Sequence, residues 1–138
     1  MQIISRNRHA IMIMLYLARH PGRAASTTEI GAELGISVSY LEQLFTVLRR
    51  DGLVRSVRGP GGGYLLVKPA DEITVAELFV PFRKDADAKH ELSAASAEFV
   101  ALWAQFCQQA NQFFSTLTLA QIAGVASADG RLPHPAGG

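Results

Sequence analysis

The chain has 138 residues, of which 49% are hydrophobic and 18% are charged, and its formal net charge is +1. This composition excludes an intrinsically disordered chain, and the length suffices for one domain with a buried core and an additional arm. The sequence lacks a run of about 18 apolar residues, which a membrane helix requires, and its first residues do not form a secretion signal. Together with the single cysteine, Cys107, these features predict a cytoplasmic protein without intramolecular disulfides.

The charged residues are unevenly distributed. Residues 1–70 carry nine basic and four acidic side chains, a net charge of +5. Residues 71–138 carry four basic and eight acidic side chains, a net charge of −4. A basic half joined to an acidic half indicates that one end of the protein contacts a polyanion and the other end does not.

Three helices are predicted at the start of the chain. Ser5 is expected to cap the first, over residues 6–20, which ends at the helix-breaking residues 20–22. A hydroxyl cap within residues 26–29 precedes a short second helix over residues 30–34, and Ser37 caps a third over residues 38–50. The connection through Gly35 is short enough for a helix-turn-helix.

A β-hairpin is predicted after the third helix. Residues 53–58 and 64–67 are rich in strand-forming side chains, and they flank a turn of glycines and one proline at residues 59–63. Such a hairpin beside a helix-turn-helix is called a wing. Thr74 is then expected to cap a fourth helix over about residues 75–80.

The rest of the chain is dominated by one long predicted helix. Residues 81–96 are polar and lack a clear period, which predicts a loop. Residues 97–117 are predicted to form a helix with one broad apolar stripe, and Thr118 is expected to cap a last turn to Gly124. Residues 125–138 are predicted to be a disordered tail. The stripe is expected to pack against a second copy of the chain, and its members are Phe99, Leu102, Trp103, Phe106, Phe113, Phe114 and Leu117.

The predicted fold class is therefore mainly α with a small β-wing. A winged helix-turn-helix DNA-binding domain occupies residues 1–80, and a dimerisation helix with its last turn occupies residues 97–124. Ser39, Tyr40 and Gln43 lie on the face of the third helix opposite its apolar side, where glutamine can pair with an adenine edge in the major groove. The arginines that follow are expected to contact phosphates; they are Arg49 and Arg50.

The predicted wing adds a second DNA-binding element. Arg58 fits the negative potential of a narrow minor groove, and glycines such as Gly61 leave the backbone free to approach phosphates.

A nucleotide-binding loop is disfavoured because the Gly-Lys-Ser/Thr sequence is absent and the glycines join two strands. An enzyme is not predicted, because the four histidines have no nucleophile or metal partner at a motif spacing; they are His9, His20, His90 and His134.

Several segments closely resemble the IscR-like (Rrf-type) winged helix-turn-helix transcriptional regulators: residues 5–10, 36–45, 48–49, 51–54 and 57–66. The resemblance implies a homodimer paired through the long helix, bound to double-stranded DNA at a roughly palindromic operator, with a tendency towards repression. By position, it implies DNA contacts from Ser39, Tyr40, Gln43 and Arg58, with Glu42 as a base-discriminating carboxylate. Arg6, in the segment that resembles the start of the family, joins this set.

One departure from the family concerns a cofactor. Many members hold an iron–sulfur cluster through three cysteines in the loop before the long helix, but residues 80–100 of this chain contain no cysteine. Alignment on residues 101–103 places Ala97 where the last cysteine would stand and Val100 where a histidine ligand can stand. Because such clusters need thiolate ligands, no cofactor is predicted. A cluster-free branch of the family and an engineered exchange of cysteine for alanine both remain open.

Other interpretations also remain open. The same fold serves as a protein-interaction module, and a regulator could sense metal or redox state through ligands other than cysteine. His90, among the acidic residues 85, 87 and 91, is the candidate ligand for a weak metal site. Cys107 is interpreted as a small buried hydrophobe, with a redox thiol or an intersubunit disulfide as alternatives. Aromatic residues of the long helix could also enclose a small apolar effector.

Overall fold

The computed structural model describes residues 2–79 and 96–125. The chain begins with three helices: α1 (Gln2–Ala18), α2 (Thr27–Leu34) and α3 (Val38–Arg50). The Ser26 hydroxyl accepts a hydrogen bond from the Glu29 N–H, and the Ser37 hydroxyl accepts one from the Tyr40 N–H. Both predicted caps are confirmed, and α2 begins directly after its cap instead of at residue 30.

The predicted cap at Ser5 is wrong. Helix α1 already begins at Gln2 and runs through Ser5, because no glycine or proline interrupts residues 2–5. At its other end, the Arg19 and His20 N–H groups still donate to the carbonyls of Leu15 and Leu17. The chain then leaves the helical path at residues 21 and 22, as the sequence predicts.

The predicted hairpin is confirmed, with strands β1 (Val54–Val57) and β2 (Gly63–Leu66) paired antiparallel. Tyr64 in β2 exchanges two backbone hydrogen bonds with Ala25, of 2.8 and 3.1 Å, and its ring stacks on Phe45 of α3 at a centroid distance of 4.0 Å. A Cβ at Gly63 would lie 2.2 Å from the Ala25 carbonyl oxygen, so only glycine permits this approach. The hairpin is therefore anchored to two other parts of the domain.

The predicted fourth helix is instead a short 3-10 turn, Val75–Leu78, which follows another 3-10 turn, Ala70–Glu72. The backbone beside it is paired with the segment after the long C-terminal helix, since the Val75 N–H donates to the Leu117 carbonyl and the Leu119 N–H donates to the Ile73 carbonyl. Ile73 and Thr74 are extended, and these long-range bonds fix the backbone where the turn begins.

Two helices complete the described chain: α4 (Ala97–Ser115), capped by Ser96, and α5 (Leu119–Val125). The predicted long helix is confirmed, but it ends at Ser115 and not at residue 117. Leu117 lies past this end and is only 2% exposed, so its expected place on the apolar stripe is wrong: the chain turns back and buries it in its own core. The predicted Thr118 cap is confirmed, because its hydroxyl accepts from the Gln121 N–H at 3.1 Å.

The core joins α1, α2, α3, β1 and α5. Helix α5 packs against α1, so residues 117–124 complete the first domain instead of extending the arm. The fold class predicted from the sequence is confirmed: a mainly helical chain with a two-stranded wing. The largest fully buried side chains are Phe45, Ile13, Met14, Ile30, Leu41, Leu44, Leu48, Ile73, Leu78, Leu119 and Val54.

Within the described ranges, no helix is both long enough and apolar enough to cross a membrane. The predicted loop over residues 81–96 lies outside the described residues except for Ser96. The predicted tail lies outside them except for Val125, the last residue of α5.

Candidate nucleic-acid interface

Helix α3 has one buried apolar face and one exposed polar face. Leu41, Leu44, Phe45 and Leu48 are buried, and the exposed face includes three of the predicted DNA contacts: Ser39, Glu42 and Gln43. The turn before α3 passes through Gly35 in the left-handed conformation (φ +68°), which favours glycine. The cap at Ser37 fixes where the helix begins, and the polar face is therefore presented from its first turns.

Tyr40 is held differently from its polar neighbours. It is half-buried, its phenolic oxygen lies 3.1 Å from Nδ1 of His9 in α1, and the two rings meet edge to face with centroids 5.4 Å apart. The sequence analysis missed His9. One signal was available: His9 follows Arg6 by three residues, so both lie on one side of α1.

A small cleft lies where α1 meets α3. Its volume is about 70 Å³, and its lining residues are Arg6, Tyr40, Gln43, Leu44 and Val47. The structure thus brings together three residues that the sequence placed at a DNA interface although one of them lies in another helix. The cleft wall is mainly apolar, and Arg6 of α1 and Gln43 of α3 both contribute to it.

The paired arginines lie at the opposite end of α3. Arg49 and Arg50 are both exposed, and Arg50 Nε is 3.6 Å from Asp51 Oδ1. Ten residues of helix separate Ser39 from Arg49, a rise of about 15 Å. The structure therefore does not group these arginines with the predicted contacts at the start of the helix.

The tip of the wing is formed by glycines and by the exposed residue Arg58. Gly59 and Gly61 have φ values of +96° and +74°, and the Gly62 N–H donates to the Gly59 carbonyl at 2.9 Å. A Cβ at Gly62 would lie 2.3 Å from the Val57 carbonyl oxygen. The turn thus depends on glycine, and both Gly61 and Arg58 are exposed.

An unpredicted polar cluster lies between α1 and α2. Arg23 forms an ion pair with Glu29, and the Tyr16 hydroxyl donates to the same carboxylate at 2.8 Å. These bonds, the one from Arg23 above all, lower the pKa of Glu29. The negative charge of Glu29 is thereby compensated within the basic half of the chain.

The stripe of α4 divides into an exposed and a partly covered part. Four of its members are exposed, with Leu102 at 66% and Phe106 at 57%, and the other two are Phe99 and Trp103. Trp103 stacks on both Phe99 and Phe106, with centroid distances of 6.2 and 5.3 Å. Nothing in the described part of the chain covers these rings.

Two further members of the stripe contact aromatic residues of the same chain. Phe113 and Phe114 are half-buried, and Phe114 stacks on Phe79 with a centroid distance of 4.7 Å. Cys107, also in α4, is partly exposed. The exposed apolar surface is therefore centred on the first three turns of α4.

A larger concavity of about 210 Å³ lies between the end of α1 and the base of the hairpin. Its polar lining includes His20, Arg55 and Lys68, and the Lys68 ammonium group donates a hydrogen bond to Glu77 at 3.0 Å.

Within residues 2–79 and 96–125, no group of three histidine, cysteine, aspartate or glutamate side chains is arranged to hold a metal ion. The candidate ligand His90 lies outside these ranges.

The Rrf2 family model, described as an iron-dependent transcriptional regulator, matches residues 3–124. The chain is 39% identical over 129 residues to the HTH-type transcriptional regulator IscR of Photorhabdus laumondii, across 88% of this chain and 79% of that protein. It is 37% identical over 129 residues to IscR of Erwinia tasmaniensis, across 88% of this chain and 78% of that protein.

Two solved structures extend the comparison. Staphylococcus aureus CymR superimposes with a TM-score of 0.71 at 30% identity, over 86% of this chain and 95% of that chain. T. potens IscR superimposes with a TM-score of 0.73 at 27% identity, over 94% of this chain and 90% of that chain. The resemblance identified from the sequence is confirmed, and so is the prediction of a regulator instead of an enzyme.

Proposed function

Because the chain belongs to the Rrf2 family of transcriptional regulators, we propose that it is a homodimeric, sequence-specific DNA-binding repressor. The observation that carries this proposal is the exposed polar face of α3 together with a glycine-rich wing that exposes Arg58 at its tip. Each protomer inserts the start of α3 into the major groove and Arg58 into the adjacent minor groove.

The exposed residues of α3 supply base recognition. Gln43 accepts from and donates to an adenine edge, Ser39 bonds to a base or a phosphate, and Glu42 accepts from a cytosine amino group or repels other sites. The exposed Arg49 and Arg50 contact phosphates, as do the half-buried Arg6 and the backbone N–H of Gly61. Phosphate contacts provide most of the affinity, which therefore falls steeply with salt.

Pairing through α4 provides a second copy of α3, which binds the second half-site of the operator. The exposed rings of Trp103 and Phe106 need an apolar partner, and a second copy of α4 offers the same surface in a two-fold arrangement. Two copies of α3 then face half-sites separated by about one helical turn of DNA, or slightly more.

The proposed mechanism does not use an iron–sulfur cluster. The description of the family names iron, but the donor set of this chain does not fit a cluster, because Cys107 is the single cysteine among the 138 residues. Such clusters are held by several thiolates, which histidine replaces only in part. DNA binding is therefore assigned to the winged helix-turn-helix itself.

The test is a selection of bound duplexes from a randomised library, followed by affinity measurements over a range of salt. We expect an approximate palindrome and a linear fall of log affinity with log salt. Arg58→Gln should reduce that slope by about 1, whereas Arg55→Gln, an equal loss of charge at the exposed base of the hairpin, should change it less. Recovery of no preferred sequence would contradict the proposal.

A further inference from the structure

One contact joins α1 to the DNA-facing start of α3. His9 Nδ1 lies 3.1 Å from the phenolic oxygen of Tyr40, and the two half-buried rings meet at an interplanar angle of 86°. Ser39 and Gln43, the neighbouring predicted contacts, are exposed on the same helix. Tyr40 is thus a predicted DNA contact whose phenolic oxygen is hydrogen-bonded to a residue of a second helix.

The direction of this hydrogen bond decides what Tyr40 offers to a ligand. A tyrosine hydroxyl has one proton and also accepts through its oxygen. If that proton points to the imidazole, Tyr40 presents only an acceptor to the outside. If an Nδ1–H of His9 donates to the phenolic oxygen instead, the Tyr40 O–H is free to donate outwards.

The surroundings favour an outward donor. Tyr40 lines the same mainly apolar cleft as Arg6 and Gln43, so a phosphate that contacts the Tyr40 hydroxyl would lie near residues that carry a cation and an amide. Phosphate oxygens of DNA only accept hydrogen bonds, and tyrosine hydroxyls are among the side chains that donate to them. A phosphate beside Arg6 therefore requires the Tyr40 proton to point away from His9.

We propose that His9 is a positioning residue that donates from Nδ1 to the phenolic oxygen of Tyr40 and thereby directs the Tyr40 O–H to a DNA phosphate. The inference rests on the proposed function. It assigns a role to a side chain that itself contacts no DNA, and it makes the effect of His9 wholly dependent on the Tyr40 hydroxyl.

A double-mutant cycle on the selected operator tests this dependence. Tyr40→Phe keeps the ring and removes the hydroxyl, and His9→Leu removes both ring nitrogens. Each variant should weaken operator binding about fivefold per half-site, the range of one hydrogen bond. The double variant should bind no more weakly than Tyr40→Phe alone, because the two changes remove one interaction.

A matched variant separates this role from a merely structural one. The amide nitrogen in His9→Asn stands at about the position of Nδ1 and can donate, so its operator affinity should return to within about twofold of the wild type. The salt slope should stay unchanged in His9→Leu, because a neutral hydroxyl releases no counterion. Thermal unfolding of the variants reports any loosening of the contact between α1 and α3.

The outcomes distinguish the inference from its premise. Additive effects of His9→Leu and Tyr40→Phe, or an affinity of His9→Asn as low as that of His9→Leu, would overturn the inference while wild-type operator binding stands. A wild-type protein without sequence preference would overturn both the proposed function and the inference.

Discussion

The two helices that carry the proposed function, α3 and α4, differ in what they leave exposed. In α3, the apolar face formed by Leu41, Leu44, Phe45 and Leu48 is buried in the domain, and the outward face is polar. No residue of α4 is buried by the described part of the chain, and the exposed face of this helix carries aromatic and aliphatic side chains. A helix with a covered apolar side offers polar groups to a polar partner such as DNA. A helix with an uncovered apolar side needs an apolar partner.

The largest expected effect comes from making the face of α4 polar. Leu102→Asp places a charge on the most exposed of the apolar residues, where pairing would bury it, so we expect monomers in sedimentation equilibrium. Operator affinity should fall about a thousandfold, because each α3 then binds without a linked second copy.

The control for this change lies on the same helix. Gln108→Asp introduces an equal charge at an exposed position nine residues after Phe99, on the side of the helix opposite that ring, and it should leave both association and operator binding close to the wild type. Dimers that persist in Leu102→Asp would contradict the assignment of this face.

Truncation to alanine should distinguish a leucine buried within the domain, in α5, from an exposed leucine in α4 that is proposed to mediate association. Leu119, in α5, is fully buried in the domain, so Leu119→Ala should lower the free energy of unfolding by about 3 kcal/mol at every protein concentration. Leu102→Ala should act mainly through association, and its effect on denaturant unfolding should depend on protein concentration. Equal, concentration-independent losses in both variants would refute the distinction.

A change on the polar face of α3 should affect sequence preference while leaving stability intact. Gln43 is exposed, and Gln43→Ala should cost about 1–3 kcal/mol of operator binding and relax the preference at its base. Competition between the selected operator and variants at each position measures this loss. The same loss on every DNA sequence would show that Gln43 does not read a base.

The smallest expected effect is a pH dependence beside the connection to α4. Partial burial raises the pKa of Glu77, but hydrogen bonds from the Thr74 N–H and the Lys68 ammonium group outweigh it and hold that pKa below its usual value. A depressed carboxyl pKa stabilises the fold above the unfolded-state pKa, and the contribution is lost as pH falls through the folded-state value.

Glu77→Gln should therefore lower the melting temperature slightly at about pH 7 and hardly at all at about pH 3. The loss should correspond to less than about 1 kcal/mol, because the ion pair with Lys68 is partly exposed. Thermal unfolding at the two pH values tests the prediction, and an equal difference at both would exclude this linkage.

Much of the first domain was predictable because its signals are local. Ser26, Ser37 and Thr118 cap the helices that follow them, and the glycines at residues 59–63 mark the hairpin turn. The start of α3 and the wing follow directly from these neighbours in sequence. The polar face of α3 was predictable for the same reason, since helical spacing alone separates it from the buried face.

Features that depend on distant residues were not predictable. Leu117 is buried because residues 117–119 pair with residues 73–75, which helical periodicity cannot indicate. The contact between His9 and Tyr40 joins residues 31 positions apart, and the ion pair of Arg23 with Glu29 depends on how the loop before α2 folds. In each case, tertiary packing and not local propensity decides the outcome.

The central claim, that α3 reads DNA while α4 pairs two protomers, is tested most directly by the stoichiometry of the complex. Sedimentation velocity of the wild-type protein with the selected palindrome, and with a duplex that holds one half-site, measures it. The account predicts two protomers on the palindrome and much weaker binding to the single half-site. One protomer per palindrome, with equal affinity for both duplexes, would contradict it.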